Sequence, residues 1–223
     1  MYNWVTHGRT SLFLLILGLM MAFPVLVYGA GDSLRIVDKP IIWTNNREQL
    51  IMEYAQTHYG LSQVSIVPQA VVVHWTAGPT WESAYLTFYN EARKDGTLNV
   101  ASHFLVDRDG TVFRLTSETA LNRHVIGYNW CAIGIENVGG VNGREDLTNE
   151  QLQANIELIS YLHVKYPTIK YVFGHYQQDM ARESGLYIEN VKGYRSIKID
   201  PGAEFMKGLR MVLEKEGLVF YPE

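Results

Sequence analysis

Short apolar runs and amphipathic stretches alternate along most of this chain, and together they predict its regular elements. Runs of β-branched, aromatic and other apolar residues, typical of buried strands, occur at positions 71–75, 102–107, 111–115, 131–138 and 171–173. Stretches with apolar residues at helical spacing occur at positions 45–60, 80–94, 148–165 and 200–216. Because strands and helices are interleaved, we expect an α/β (mixed) fold with a central mixed β-sheet flanked by helices.

Turn and capping residues mark several element ends. Arg108-Asp109-Gly110 predicts a hairpin between two strands, since glycine supplies the positive φ that the turn needs. Asn45 with Glu48, and Thr148 with Gln151, have the spacing of capping boxes at helix starts. These signals fix where two of the helices are expected to begin.

The second and last helices have weaker end signals. The second is expected to begin after Thr80, to bury Leu86 with its aromatic neighbours, and to end at Asp95-Gly96. The last is expected to hold Pro201 in its first turn, where a missing N–H costs nothing.

The amino terminus carries an export signal or an anchor. An arginine precedes an apolar run from Leu12 to Tyr28, and small residues follow it, which favours a cleaved signal peptide. The run is close to the ~18 residues of a spanning helix, so an uncleaved anchor is the alternative. We therefore expect an exported, periplasmic or extracellular protein. Its predicted parts are a signal peptide or N-terminal membrane anchor (1–30), an N-terminal extension with one helix (31–64) and a main domain (65–223).

Charge and cysteine content narrow the classes of partner. The part after residue 30 carries 18 basic and 23 acidic side chains, a formal charge of −5. No basic cluster exists to neutralise phosphates, so no nucleic-acid partner is expected. A membrane is expected only through an uncleaved anchor. Cys131 is the single cysteine and sits in a predicted strand, so it is expected to be a small core residue without a disulfide.

Two histidines each follow a predicted buried strand, and an aspartate elsewhere in the chain can join them as a metal ligand. His74 and His175 each end an apolar run, which can bring both rings to the same edge of one sheet, and Asp200 supplies an oxygen. Two histidines and one carboxylate leave a tetrahedral Zn²⁺ one position for water, the composition of a catalytic site. The spacing matches no short zinc signature, and a lone histidine is also compatible with a hydrogen-bonded structural role.

One acidic residue lies inside a strand that is otherwise apolar. The alternation of 131–138 places Glu136 on the same face as Ala132 and Gly134, opposite Ile133 and Ile135. Such a carboxyl group is either a functional acid or part of a structural ion pair.

Five separated motifs carry a family resemblance. They are His74-Trp-Thr-Ala-Gly, Ser-His103-Phe-Leu-Val-Asp-Arg-Asp-Gly, His124-x-x-Gly before Ile-Gly-Ile-Glu136, Gly-His175 and Lys198-x-Asp200-Pro-Gly. In this order, over roughly residues 65–215, they resemble the zinc-dependent N-acetylmuramoyl-L-alanine amidases of the type-2 amidase and peptidoglycan-recognition-protein superfamily. The resemblance implies that 65–223 is an amidase catalytic domain with its zinc site at the sheet edge.

The resemblance also implies roles for individual residues. His74, His175 and Asp200 match the zinc-ligand positions, Glu136 the acid/base carboxylate and Lys198 the cation beside the metal. Amide hydrolysis uses these residue types because an amide is a poor electrophile with a poor leaving group. A carboxylate can move the proton and an ammonium can stabilise the oxyanion.

Some features fall outside these assignments. His103 and His124 are expected either to support ligands or to contact glycan or peptide. The 176–197 segment is longer than in compact members of the family. It is expected to line the substrate groove with Tyr176, Tyr187, Tyr194 and Arg195, or else to be a surface elaboration that contacts nothing.

Three functions are compatible with this sequence. The first is hydrolysis of the amide between N-acetylmuramic acid and L-alanine in peptidoglycan or muropeptides. A non-catalytic muropeptide-binding receptor is the alternative, and it is less favoured because all three metal ligands are present. The third keeps the enzyme and changes its role, to a secreted toxin or a scavenger of released muropeptides.

Overall fold

The computed structural model describes residue 1 and residues 34–222, and the described part contains seven strands and four α-helices. The strands are β1 (Ile36–Asp38), β2 (Ala70–Trp75), β3 (Phe104–Val106), β4 (Val112–Arg114), β5 (Ala132–Asn137), β6 (Tyr171–Gly174) and β7 (Val219–Phe220). The helices are α1 (Asn45–Tyr59), α2 (Trp81–Tyr89), α3 (Asn149–Lys165) and α4 (Ala203–Leu213).

The strands form one mixed sheet in the order β1-β4-β3-β5-β2-β6-β7. β3 and β4 pair antiparallel through the predicted hairpin, and the other neighbouring pairs in the described sheet are parallel. Every residue of β2 is buried, as expected for a central strand with both faces covered. The predicted fold class, a mixed α/β sheet flanked by helices, is confirmed.

The two faces of the sheet carry alternate side chains of each strand, and each face packs in its own core. Val71 and Val73 of β2 pack in a large core with residues of α1, α3 and α4. Val72 faces the other way and packs with Phe173 and Tyr128, while α2 covers Leu105 on that side. Because side chains alternate along a strand, His74 projects to the same side as Val72.

The N-terminal part of the described chain is joined to this core. β1 pairs with β4 at one edge of the sheet, and Ile51 and Ala55 of α1 are buried in the large core. Residues before and after position 65 therefore share one core, and the predicted domain boundary there stays a prediction. The predicted signal peptide or anchor lies outside the described residues, apart from residue 1. None of the described helices has the length and apolar character needed to span a membrane.

Two predicted helix starts are wrong. α1 is capped by Thr44, whose hydroxyl accepts from the N–H of Asn46, rather than by Asn45. Pro201 precedes Gly202, the N-cap of α4, instead of lying in the first helical turn. The start of α3 agrees with the prediction, because Thr148 forms a complete capping box.

α2 is shorter than predicted because side chains distant in sequence take its last carbonyl groups. It ends at Tyr89, and the carbonyl oxygen of Asn90 accepts from Arg47 at 2.7 Å and from Asn99 at 3.0 Å. Leu86 is 65% exposed instead of buried. The predicted stop at Asp95-Gly96 belongs to a separate turn that follows the helix.

Candidate metal centre and active site

Strand register brings three of the predicted site residues to one level. His74 of β2 pairs with Glu136 of β5, and Val73 pairs with Gly174 of β6. The next residue after Gly174 is His175, so the three side chains lie at the carboxyl-terminal ends of adjacent parallel strands. In open α/β sheets this edge is where ligands bind.

Asp200 reaches the same edge from the segment before α4. Its carbonyl oxygen accepts a hydrogen bond from the N–H of Tyr176 at 3.0 Å, which ties the segment to the end of β6. Glu145 then caps α4 by accepting from the N–H of Phe205 at 2.8 Å. Gly202 is required here, since its φ is +96° and an added Cβ would lie 2.2 Å from the Glu145 carboxyl carbon.

Three ligand atoms converge in a buried triangle. His74 Nδ1 lies 2.9 Å from His175 Nδ1 and 3.2 Å from Asp200 Oδ2, and His175 Nδ1 lies 3.1 Å from the same oxygen. The residues are 1%, 6% and 7% exposed. Three tetrahedral ligands of Zn²⁺ would lie about 3.3 Å apart, so the triangle has nearly the size that the ion requires.

Hydrogen-bond partners on the far side of His74 determine its tautomer. His124 Nε2 lies 3.1 Å from the carbonyl oxygen of Ala132, which can only accept, so Nε2 carries the proton. Burial, then the charges of His74 and His103, hold the pKa of His124 well below its usual value, so the ring is neutral and its Nδ1 accepts. His74 Nε2, at 3.1 Å from that nitrogen, must therefore donate.

In a neutral His74 ring, a donating Nε2 leaves Nδ1 with a lone pair that points into the triangle. This lone pair faces Asp200 Oδ2 and His175 Nδ1. A single proton on His175 Nδ1 can be donated to His74 Nδ1 or to Asp200 Oδ2, but not to both. The Nε2 of His175 is itself buried without a hydrogen-bond partner among the described residues. A cation inside the triangle would satisfy His74 Nδ1, His175 Nδ1 and Asp200 Oδ2 together. The residues present therefore fit a metal ion of the kind that binds nitrogen and oxygen ligands.

Burial also shapes the titration of His175 and Asp200. Burial, followed by the charge of His74, lowers the pKa of His175 to about 4. For Asp200 burial acts to raise the pKa, but the contacts with His175 and His74 outweigh it and hold the pKa far below its usual range. Two neutral imidazoles and one carboxylate are the protonation states in which these residues bind metals.

Glu136 stands beside the triangle in a pocket of about 290 Å³, which His74, His175, Lys198 and Asp200 also line. Its Oε2 is buried without a hydrogen-bond partner among the described residues. Burial raises its pKa well above the usual range, the charge of Asp200 raises it further, and the charge of Lys198 lowers it in part. Lys198 itself is exposed at the mouth of the pocket.

A buried amide chain that sequence reasoning missed supports the backbone of His74. Asn137 Nδ2 donates to the carbonyl oxygen of His74 at 3.0 Å, and Asn155 Nδ2 of α3 donates to Asn137 Oδ1 at 2.6 Å. Both asparagines are completely buried. The signal was present in the sequence, because Asn155 interrupts the apolar stripe of α3 four residues after Gln151.

The structure separates the remaining candidates by their contacts. His103 is fully buried, its Nε2–H donates to the carbonyl oxygen of Ala120 and its Nδ1 accepts from the N–H of Gly134, so it supports backbone. Cys131 is buried in the core, and burial raises the pKa of its thiol.

The 176–197 segment divides into two parts. Tyr194 and Arg195 line a pocket beside the metal centre together with His175 and Lys198. Tyr187 instead packs against the backbone of Gly127 and the ring of Tyr128, so it does not line this pocket.

Comparison with known proteins places this site in a family. A model of the family Amidase_2, described as N-acetylmuramoyl-L-alanine amidase, matches residues 64–203. The match covers more than half of the chain. It includes His74, His175 and Asp200 of the triangle, together with Glu136 and Lys198. The chain belongs to the Amidase_2 family. α1 lies before the residues matched by the Amidase_2 model.

Curated relatives of this Amidase_2 chain are phage endolysins. The endolysin of Klebsiella phage KP32 is 37% identical over 78 residues, which are 33% of this chain and 52% of the endolysin. That of Enterobacteria phage T3 is 32% identical over 103 residues, 44% of this chain and 68% of the endolysin. The chain thus spans about half to two thirds of the length of these relatives.

Solved structures share the fold at lower identity. The N-acetylmuramoyl-L-alanine amidase LysC from Clostridium intestinale URNW superposes with a TM-score of 0.54 at 22% identity, covering 81% of this chain and 97% of LysC. Bumblebee PGRP-SA superposes with a TM-score of 0.51 at 19% identity, covering 72% of this chain and 89% of that protein. At these identities the likeness shows the fold.

The contact between His124 and His74 predicts an effect on metal affinity. His124→Phe removes the acceptor that holds His74 in its metal-binding tautomer, so we expect the affinity for Zn²⁺ to fall about 10- to 100-fold. His124→Gln restores an acceptor and should recover part of the loss. Affinity is measured by competition with a chelator, with circular dichroism to check folding.

The control is His163→Gln, since His163 contacts only the carbonyl oxygen of Ile169 among its described hydrogen bonds. Equal affinity in His124→Phe and the wild type would contradict the assignment.

Proposed function

We propose that this protein is a zinc-dependent amidase that hydrolyses the bond between N-acetylmuramic acid and L-alanine in peptidoglycan or muropeptides. The observation that carries the proposal is the buried convergence of His74, His175 and Asp200 beside a carboxyl group with an unpartnered oxygen. Membership of the Amidase_2 family and the endolysin relatives support both the reaction and the substrate class.

The three ligands would hold the ion through His74 Nδ1, His175 Nδ1 and Asp200 Oδ2. Zn²⁺ in such a site lowers the pKa of water toward about 7 and polarises a carbonyl group, which is the chemistry that amide hydrolysis lacks in water. The net charge of the ligand set is −1, so the ion is not fully neutralised and retains its electrophilic character.

Glu136 supplies the proton transfers. Its Oε2 has no hydrogen-bond partner among the described residues, and burial raises its pKa well above the usual range, which makes the carboxylate a stronger base. The carboxylate takes a proton from the attacking water, and the resulting acid delivers that proton to the departing amide nitrogen. A carboxyl group fully exposed to water would remain too weak a base for the first step.

Lys198 is placed to stabilise the negative oxygen of the tetrahedral intermediate. It lies two residues before Asp200 and lines the same pocket as Glu136. Because its side chain is exposed, it can approach the oxygen of a bound substrate with little cost of burial. A donor of this kind is worth about 3 kcal/mol in the transition state.

A non-catalytic binding protein remains the less favoured alternative. Binding alone needs neither a complete ligand set nor an acid kept unpaired in a buried strand, and an unpaired buried group costs stability. For cellular location we propose an exported, periplasmic or extracellular protein, with residues 1–30 as signal peptide or anchor. Amino-terminal sequencing of the mature protein tests this.

Metal content tests the proposed ligand set. The protein prepared with zinc should contain one Zn²⁺ per chain, and His175→Ala should lose both the ion and activity, because two remaining protein ligands rarely retain it. Elemental analysis measures the ratio. A wild-type protein without metal, after preparation in excess zinc, would refute the zinc proposal.

Glu136→Gln tests the proton transfer. The amide is nearly isosteric but cannot relay a proton, so we expect zinc content and fold to be unchanged and kcat to fall by about 10²- to 10⁴-fold. Turnover is followed by release of the peptide from a purified muropeptide. Loss of zinc in this variant would instead make Glu136 a ligand.

Lys198→Met tests oxyanion stabilisation. Removing the charge should leave zinc in place and lower kcat about a hundredfold, with a smaller change in KM, because the interaction forms mainly in the transition state. Lys192→Met is the matched control, since Lys192 is an exposed lysine close to Lys198 in sequence that does not line the metal pocket. An unchanged kcat in Lys198→Met would leave this residue no catalytic role.

A further inference from the structure

A second cavity, which we call the distal chamber, opens on the side of the metal centre that faces α1. Its volume is about 730 Å³, within the range of small-molecule binding sites. It lies between α1, the turn at residues 93–98 and the 176–197 segment. The residues that give it chemical character are Glu53, His58, Arg93, Asp95, Arg123 and Tyr194.

The distal chamber adjoins the metal centre through a pocket between them. A pocket of about 280 Å³, the middle section, shares Tyr54, Arg123 and Tyr194 with the chamber. The same pocket shares His175 and Lys198 with the metal pocket. A substrate held at the metal can therefore extend through the middle section into the chamber.

The outer wall of the chamber is built by a specific contact between α1 and the 176–197 segment. His58 Nδ1 lies 2.9 Å and 3.0 Å from the two carboxylate oxygens of Glu189, whose side chain is 3% exposed. The N–H of Asn190 donates to the carbonyl oxygen of His58 at 2.8 Å, and the rings of His58 and Tyr194 lie 4.5 Å apart. These contacts fix the wall in place.

Arg123 is held at the junction of the chamber and the middle section. Its guanidinium donates to the carbonyl oxygen of Leu98 at 2.6 Å and to the hydroxyl of Tyr194 at 2.9 Å, and it lies 5.4 Å from the ring centre of Tyr54. None of the ion pairs of the described residues involves it, so its charge is not neutralised by a direct partner.

The charge of the lining changes along the groove. In the middle section Arg123, Arg195 and Lys198 contribute three cations, and no acidic residue of the described chain lines it. The distal chamber adds Arg93 and two carboxylates, Glu53 and Asp95, and Asp95 Oδ2 lies 3.5 Å from Arg93 Nε. Outward from the metal, the lining is therefore first positive and then of mixed sign.

We propose that the distal chamber binds the far end of the peptide part of the substrate, as a zwitterionic segment that carries an ammonium group and a carboxylate. The positive middle section matches a carboxylate closer to the scissile bond, and Glu53 with Asp95 supplies the partners for the ammonium group. The proposal rests on the proposed amidase function, and it assigns α1, outside the Amidase_2 match, a role in substrate choice.

The test compares two substrates that differ by one charge. N-Acetylmuramoyl-L-alanyl-D-glutamyl-L-lysine is offered with its lysine amine free or acetylated, which removes the ammonium charge. We expect kcat/KM to be up to about fivefold higher for the free amine, the limit for a partly exposed ion pair. The double variant Glu53→Gln with Asp95→Asn should abolish this preference.

A matched control is available elsewhere in the chain. Glu157 accepts from Gln153 one turn earlier, as Glu53 does from Gln49, and Asp109 accepts from the N–H of Thr111, as Asp95 does from that of Thr97. Glu157 and Asp109 do not line the groove. Glu157→Gln with Asp109→Asn should therefore keep the preference for the free amine.

The outcomes separate this proposal from the proposed function. Equal kcat/KM for both substrates in the wild type, or a preference retained in Glu53→Gln with Asp95→Asn, overturns the role of the chamber while the amidase activity stands. If neither substrate is cleaved, the amidase proposal fails. The same comparison is then made by calorimetry of peptide binding, where equal dissociation constants for the free and acetylated peptides overturn the chamber.

Discussion

The register between β2 and its two parallel neighbours is the constraint on which the site depends. It sets His74 level with Glu136 on one side and with the start of the segment after β6 on the other. A slip of one residue would turn His74 into the opposite core, because side chains alternate along a strand. The continuous burial of β2 opposes such a slip, since Val71 and Val73 fill one core and Val72 another. Hydrophobic packing thus positions the polar centre.

The cost of burying that centre is met by polar groups arranged in successive layers. Asn137 donates to the carbonyl oxygen of His74 and accepts in turn from Asn155, and His124 accepts from the His74 ring. Buried groups with complete hydrogen bonds keep a single geometry, whereas half-satisfied ones are destabilising. Oε2 of Glu136, at the centre of the site, has no hydrogen-bond partner among the described residues, and the proposed reaction uses this oxygen. The unpartnered carboxyl oxygen costs stability, and the proposed chemistry needs it free.

The sequence predicted the parts of this fold that local patterns determine. The alternation of β5, the buried run of β2 and the capping box of α3 each depend on neighbouring residues, and each agrees with the structure. The end of α2 depends on Arg47 and Asn99, which are distant in sequence or lie beyond the helix, so local signals misplaced it. β7 has only two residues and forms because β6 offers an open edge. The candidate metal ligands were predicted from strand ends and family motifs. The contact between His124 and His74 joins residues 50 positions apart, so no local pattern indicates it.

The proposed reaction and the proposed substrate choice depend on different parts of the chain. The metal triangle, Glu136 and Lys198 lie within the Amidase_2 match at residues 64–203, and their geometry is fixed by the centre of the sheet. The outer groove is built from α1 and the 176–197 segment, which are held together by the buried pair of His58 and Glu189. Breaking one partner of a buried pair costs more than the pair itself contributes, so the two segments are constrained to change together. Changes confined to the exposed chamber lining leave both that pair and the metal centre intact. The fold therefore allows the groove to vary without altering the chemistry at the sheet edge.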